Sequence, residues 1–447
     1  MLIEALREFQ TNIEVLRKFV DNVEGIIDTN YTSIVQNIQE EMVVPIVMGM
    51  IEMPEEERKN IIKSINEKYK EEYIEQNSEM DIDEVSEKLD ELISKQEKQE
   101  ILQRLEHYYK KNYKKIETVN NDLVSSRKQK NVLYQSALIS LIVTFEYLIS
   151  CAIRQKLTLF PKSIGKEGTK LSLDEIIKLD SLESATEYVI DQEVYKLMMK
   201  GFEGWYEYIK KDMKINIEYI DNNMAEVKEI FLRRNLFVHN AGIINNLYIN
   251  EVGNKKGNIV LNKKIDINRE YIEKSIKALS IVGYEIILCI SDKILEKSDM
   301  INIGDEFDMI GFDIMNENQW EVALNIFNRV KCLKKVTTNH RTVAQINAWL
   351  CNKRMGKVAE VKKEIEETDF DDKKSIYKVG LCAIQDKYED FFDELQKCYS
   401  DDREEDCITM EALETWPIFD EVRQRPEYLM FKNEKMNNIT VKDATAS

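Results

Sequence analysis

The stretch Arg233-Arg234-Asn235-Leu236-Phe237-Val238-His239-Asn240-Ala241-Gly242 closes an amphipathic helix. Apolar residues fall at Ile217, Ile220, Met224, Val227, Phe231 and Val238, three and four apart, the spacing of one helix face. After Phe231 the next position on that face is 234, where the pattern asks for Leu or Ile. The chain supplies Arg234. An arginine on a buried stripe costs roughly several kcal/mol unless something pairs with it. Asn235 and His239 sit four apart and share a face, and Gly242 falls where a helix C-cap is expected. The segment offers a fixed cation, an amide and a proton carrier within two turns.

Arg234 on such a stripe needs a partner. The most apolar helix of the chain runs from Asn131 to Leu157 and carries a lone Glu146. A carboxylate there needs a cation or a proton, unless it points to solvent. Arg234 is the natural candidate. Ser136, Ser140 and Thr144 share another face of the same helix. Its apolar run, Ser136 to Ile153, is read as a buried helix and not a membrane span, because Glu146 stands in the middle.

The composition fixes the class. With 447 residues the chain has room for about three domains. Only 14 Gly and 5 Pro, among many Lys, Glu, Leu and Ile, predict a mostly helical protein. The net charge of −19 argues against a whole-surface affinity for nucleic acid or anionic membrane, so a polyanion needs a local basic patch. One such patch is Lys110, Lys111, Lys114 and Lys115, followed by Arg127, Lys128 and Lys130 and interleaved with Tyr108, Tyr109 and Tyr113. Lysines and aromatic rings suit a nucleic-acid strand; a solvated helix face is the alternative. Seven cysteines, an odd number without a C-x-x-C pair, together with a charged start, predict a reducing cytoplasm.

The remaining chain reads as helix with two exceptions. Leu2, Leu6, Phe9, Ile13, Leu16, Val20, Val23 and Ile27 alternate four and three apart, as in a coiled coil or tight hairpin, until Asn30. Charged helices are predicted near 55–76 and 82–116. A loop is expected over 158–175, then helices near 173–179, 182–199 and 201–213. After the motif, Ile243 to Val252 and Asn258 to Lys263 are read as a small β-hairpin, turning at Gly253 to Gly257. A helix over 268–296 follows. Residues 301–432 read as helical-hairpin repeats, as in Ala323-Leu324-Asn325-Ile326-Phe327. The polar tail 433–447 is expected to fray.

Several chemistries are absent from the sequence. It holds no Gly-rich phosphate loop, no H-E-x-x-H, no G-x-S-x-G and no Cys/His set at zinc spacing. Of three histidines, His107 lies in a charged helix and His340 at a helix start. No metal site and no cofactor are therefore expected.

Arg234-Asn235, three residues, then His239 resembles the Arg, four-to-six residues, His signature of HEPN domains, helical domains many of which are ribonucleases. Ser136 to Ser140 through Phe145-Glu146-Tyr147-Leu148 is similar to the first helix of one HEPN branch. So is His239-Asn240-Ala241-Gly242-Ile243-Ile244-Asn245, with Tyr248 just after. The resemblance spans roughly 117–297. Residues 301–432 are similar to tetratricopeptide-like repeats, and residues 1–115 resemble no named family. One HEPN toxin subgroup has a Tyr two residues after the His; here Ala241 stands there, so regulation by tyrosine modification is not carried over.

Composition, periodicity and the resemblance together give an all-α protein of four parts with a small β-hairpin insertion: an N-terminal helical region (1–115), a HEPN-like bundle (116–300), tetratricopeptide-like repeats (301–432) and a tail (433–447). The resemblance implies metal-independent RNA cleavage, in which the ribose 2′-hydroxyl attacks its own phosphate. Arg234 would stabilise the phosphorane, His239 would move a proton, Asn235 would orient His239 or touch phosphate, and Glu146 would hold Arg234. Arg233 and Lys110, Lys111, Lys114 and Lys115 would contact RNA. One histidine cannot easily serve as both acid and base, and HEPN domains answer this as homodimers with two motifs at one cleft. A toxin or antiphage defence effector is expected by analogy. The repeats would bind a protein or peptide, and no membrane is expected. The rival readings are a non-catalytic interaction scaffold and a domain binding a nucleotide signal.

Overall fold

A computed structural model describes residues 1–38, 95–164, 170–253, 259–370, 373–400 and 408–434. The helix expected over 55–76, the part of the charged helix over 82–116 that precedes residue 95, the 254–258 turn and the tail from 435 on lie outside these residues. The chain divides into two compact units, Met1–Leu16 with Ala137–Ser447, and Arg17–Ser136.

Helices make up most of the described chain. The first is α1 (Leu2–Ile38), whose alternating apolar positions are buried at Leu2, Leu6, Phe9, Ile13, Val20 and Ile27. Asn30 does not stop it; the helix runs eight residues further. The second, α2 (Lys95–Leu159), is the longest. In the Arg17–Ser136 unit these helices meet through Tyr134, whose hydroxyl donates to Glu24, and through Lys130, which pairs with Asp28.

In the larger unit, α3 (Leu173–Lys178), α4 (Leu182–Met198) and α5 (Gly201–Glu207) precede a π-turn over Tyr208–Asp212. Then come α6 (Glu218–Asn240), α7 (Asn246–Val252) and α8 (Arg269–Ile294). Their core is aromatic. Phe145 of α2 sits among Phe9, Trp205 and Phe231, with ring centres 5.8–6.4 Å away. Phe202 stacks on Phe231 at 5.0 Å. Helices α1, α2 and α8 cross at Gly283, where an added Cβ would meet Leu148 and Phe9 at 3.1–3.2 Å. Such close packing fixes α6 through Phe231 and α2 through Phe145 on one scaffold.

The expected β-hairpin is not seen: its first segment is largely helix, and the described part of its second, 259–263, is turn and irregular chain. Residues Asn246–Val252 form α7, because the Asn245 side chain accepts the Tyr248 N–H as an N-cap and Tyr248 is buried. Among the described residues only an isolated antiparallel bridge, Ile243 to Lys264, has strand pairing.

The segment Val124–Leu159 is long and apolar enough to cross a membrane by length and composition. Leu138, Leu141, Ile142, Phe145, Leu148 and Ile149 on it are fully buried in the protein interior, which is the arrangement of a core helix.

Helices α9 (Lys297–Asn316), α10 (Trp320–Val330), α11 (Thr338–Arg354), α12 (Val358–Glu367), α13 (Ser375–Ile384), α14 (Tyr388–Ser400) and α15 (Met410–Thr415) complete the chain, with a last helix over 426–434. Helix α9 packs on α10, α10 on α11, α11 on both α12 and α13, and α13 on α14, with α9 and α10 also against α8. Gly311 lets the Phe327 ring lie where a Cβ would be 2.5 Å away. Ala323, Ile326 and Phe327, the small-then-large triplet seen in the sequence, are buried. Arg7 of α1 forms a two-pronged pair with the buried Glu306 of α9, at 2.8 and 2.6 Å.

Candidate functional site

Both ends of α6 are fixed by specific contacts. At its start, the backbone N–H groups of Glu218 and Tyr219 donate to the Glu285 carboxylate of α8, at 2.8 and 3.1 Å. A distant carboxylate thus does the work of an N-cap. At its end, the helix closes one residue earlier than expected. Ala241 is the C-cap in the left-handed region (φ 52°), and Gly242 follows at φ 79°. The Gly242 N–H donates to the Leu236 carbonyl, and the Gly242 carbonyl accepts from Ile265 at 2.8 Å.

Arg234 lies between Ile230, Phe231 and Phe237 on the inward stripe, as its register dictates, but its side chain keeps 22% of its surface exposed. Its Nη2 donates to Glu146 Oε1 at 2.7 Å, so the carboxylate sought on the apolar helix is in contact with it. Burial pushes the Glu146 carboxyl above its ordinary range, and the Arg234 guanidinium opposes that rise. A guanidinium has five N–H donors, so others remain beyond the one given to Glu146.

His239 is exposed, although the apolar spacing through Val238 would turn this part of the helix inward. The seam turns away from Val238, which is about half exposed, and buries Leu236 and Phe237 instead. Asn235 is exposed on the same face as His239, and among the described residues no hydrogen bond joins the two. The end of α6 therefore presents an amide and an imidazole to solvent, beside a guanidinium clamped from behind.

Arg233 points the other way. Its Nε donates to Glu229 at 2.7 Å, its Nη1 to the Asp266 carbonyl at 3.0 Å, and its guanidinium stacks on the Tyr271 ring at 3.8 Å. Glu229 is only 2% exposed and also accepts the hydroxyls of Tyr248 and Tyr271. This cluster was not foreseen. Its sequence signal was the Glu229–Arg233 spacing of four. It leaves Arg233 committed to holding α6, α7 and α8 together.

Lys110, Lys111, Lys114 and Lys115 lie on α2, and their side chains are outside the described residues, as is that of His107. Arg127 and Lys128 are exposed, whereas Lys130 is paired with Asp28. His340 is buried in the first turn of α11, capped by Thr337, with Nε2 3.0 Å from Asp305 Oδ1. No group of three or more His, Cys, Asp or Glu among the described residues has the arrangement of a metal site. The six described cysteines are free thiols.

What the site can do follows from these parts. Arg234 can meet an anion at the surface, and His239 and Asn235 can exchange protons or hydrogen bonds with a group held there. Comparison with protein-family models, with curated proteins and with solved structures finds no match for the chain.

Proposed function

We propose that the protein is a HEPN-type, metal-independent endoribonuclease, acting as a toxin or antiphage defence effector in the cytoplasm. The observation that carries this reading is the Arg234–Glu146 pair on the surface of a helix whose last turn exposes His239. Arg234 would neutralise the phosphorane formed as the ribose 2′-hydroxyl attacks. His239 would carry the proton, and Asn235 would hold it or the phosphate. Since one imidazole cannot readily be base and acid in the same in-line step, a homodimer would supply the second. Exposed Val143 and Tyr147 beside Glu146, and Val238 and Leu247 near His239, provide an apolar surface for that second copy.

The test is direct. Purified protein is mixed with RNA in a chelator, and the product ends are mapped. A 2′,3′-cyclic phosphate and a 5′-hydroxyl, lost in His239→Ala and Arg234→Ala, support the reading. A requirement for magnesium, or survival of activity in His239→Ala, overturns it.

One observation favours a second reading, a non-catalytic helical scaffold for a protein or peptide. Helix α3 buries none of its residues, and Leu173, Ile177 and the neighbouring Leu182 are 66–78% exposed. The −19 charge of the chain also opposes RNA.

A further inference from the structure

Helix α3 buries nothing, and Leu173, Ile176 and Ile177 on it are 71, 43 and 66% exposed. They lie at i, i+3 and i+4, so they form one apolar face. Leu182, at the start of α4, is a further exposed apolar side chain. Yet the helix has defined ends. Ser172 and Glu175 form a capping box before it, and Ser181 caps α4 soon after it. A helix of 6 residues has little stability of its own in water and persists by packing. An apolar face delimited in this way asks for a cover.

The charges beside the face identify the cover. Asp174 and Lys178 stand four apart along one flank of it. Among the described residues neither side chain makes a hydrogen bond or salt bridge, whereas Glu175 is engaged by Ser172. In an antiparallel helix pair the same flank of each helix meets the other; in a parallel pair opposite flanks meet. Two copies of α3 packed antiparallel, with a twofold axis at Ile176, therefore set Asp174 of each beside Lys178 of the other. The match occurs twice and leaves neither charge unpaired. The net charge of −19 opposes self-association elsewhere, so a flank whose charges cancel against its own copy is the place for it.

We propose that α3 is a self-complementary docking face whose partner is the α3 of a second copy of this chain. Leu173, Ile176 and Ile177 of each copy cover those of the other, flanked by two Asp174–Lys178 pairs. The face is separate from the apolar surface beside Glu146 and His239, and its pairing does not depend on RNA cleavage.

Sedimentation velocity of the full chain over roughly 1 to 100 µM tests this, the range expected of a small interface. The mass of the wild type should rise with concentration, and Ile177→Asp should weaken that rise about tenfold or more. Asp174→Lys and Lys178→Glu, each alone, should weaken it similarly by bringing like charges together. Mixed in equal amounts, these two variants should associate again, because an all-basic flank then meets an all-acidic one. All three positions are exposed, and circular dichroism melts show that each variant is folded. A wild-type mass that does not change with concentration overturns the proposal. So does an unchanged profile in Ile177→Asp, or a mixture that associates no better than its two components.

Discussion

The guanidinium of Arg234 donates through Nη2 to Oε1 of Glu146 at 2.7 Å, joining α6 to α2 at the boundary between core and solvent. Each partner is about three-quarters buried, and each would be a stranded charge alone. Arg234→Ala should therefore cost about 1–3 kcal/mol of stability. The double variant Arg234→Ala with Glu146→Ala should cost less than the two single changes added together, by about 1 kcal/mol. Denaturant unfolding of the four proteins measures this coupling.

His239 separates stability from chemistry. It is exposed, so His239→Ala should change unfolding free energy by no more than about 0.5 kcal/mol. Under the ribonuclease proposal the same change should lower cleavage by about a hundredfold or more. Parallel melts and RNA digests of the variant test both statements.

Glu229 is the anchor of α6. It accepts from Arg233, Tyr248 and Tyr271 while almost fully buried. Glu229→Ala should cost about 3–5 kcal/mol, since it leaves a buried guanidinium without its carboxylate. Tyr271→Phe, which removes one hydroxyl and leaves the ring under Arg233, should cost about 1–2 kcal/mol. Thermal unfolding should rank the two variants in that order.

Gly304 cannot bear a side chain while His340 keeps its place. An added Cβ would lie 2.2 Å from Nδ1 of that ring. Gly304→Ala should destabilise by about 1–3 kcal/mol through overpacking. Truncating the ring as well, in Gly304→Ala with His340→Ala, should recover part of the loss to steric conflict. A double-mutant cycle by urea unfolding gives the sign.

Asp308 makes stability fall as pH rises. Burial, and then the neighbouring Asp305, push its carboxyl from 3.8 up to about 8. The folded state thus holds a proton that the unfolded state has released. The contribution is fully present below pH 3.8 and is lost as pH rises through about 8. His340 Nε2, 4.0 Å from Asp308 and 3.0 Å from Asp305, faces the same carboxylates. Urea midpoints should be lower at about pH 8 than at about pH 5, and Asp308→Asn should shrink the difference.

Reading the chain placed some of these features and missed others for physical reasons. The polar break at Arg234 was visible because a helix repeats every 3.6 residues and a charge on the inward stripe is conspicuous. The lone carboxylate on an apolar helix pointed to Glu146 by charge balance alone. The exposure of His239 was not visible, because Val238 continued the apolar spacing while the real seam shifts to Leu236 and Phe237. The hairpin expectation failed at Asn245. Alternating polar and apolar residues mimic a strand over so short a segment, whereas the Asn245 cap and the burial of Tyr248 decide for helix. Glu285 carried the same signal as Glu146, a carboxylate in the apolar stretch of α8, and its partners are backbone groups that side-chain patterning does not reveal.

The first turns of α1 reach across the whole chain. Phe9 touches Phe145 and Tyr284, and Arg7 holds Glu306, 299 positions later. The inward edge of α1 is thus completed by three helices far apart in the chain, α2, α8 and α9. Clipping the opening sixteen residues from the finished protein would leave Glu306 without its cation and open a void beside Gly283.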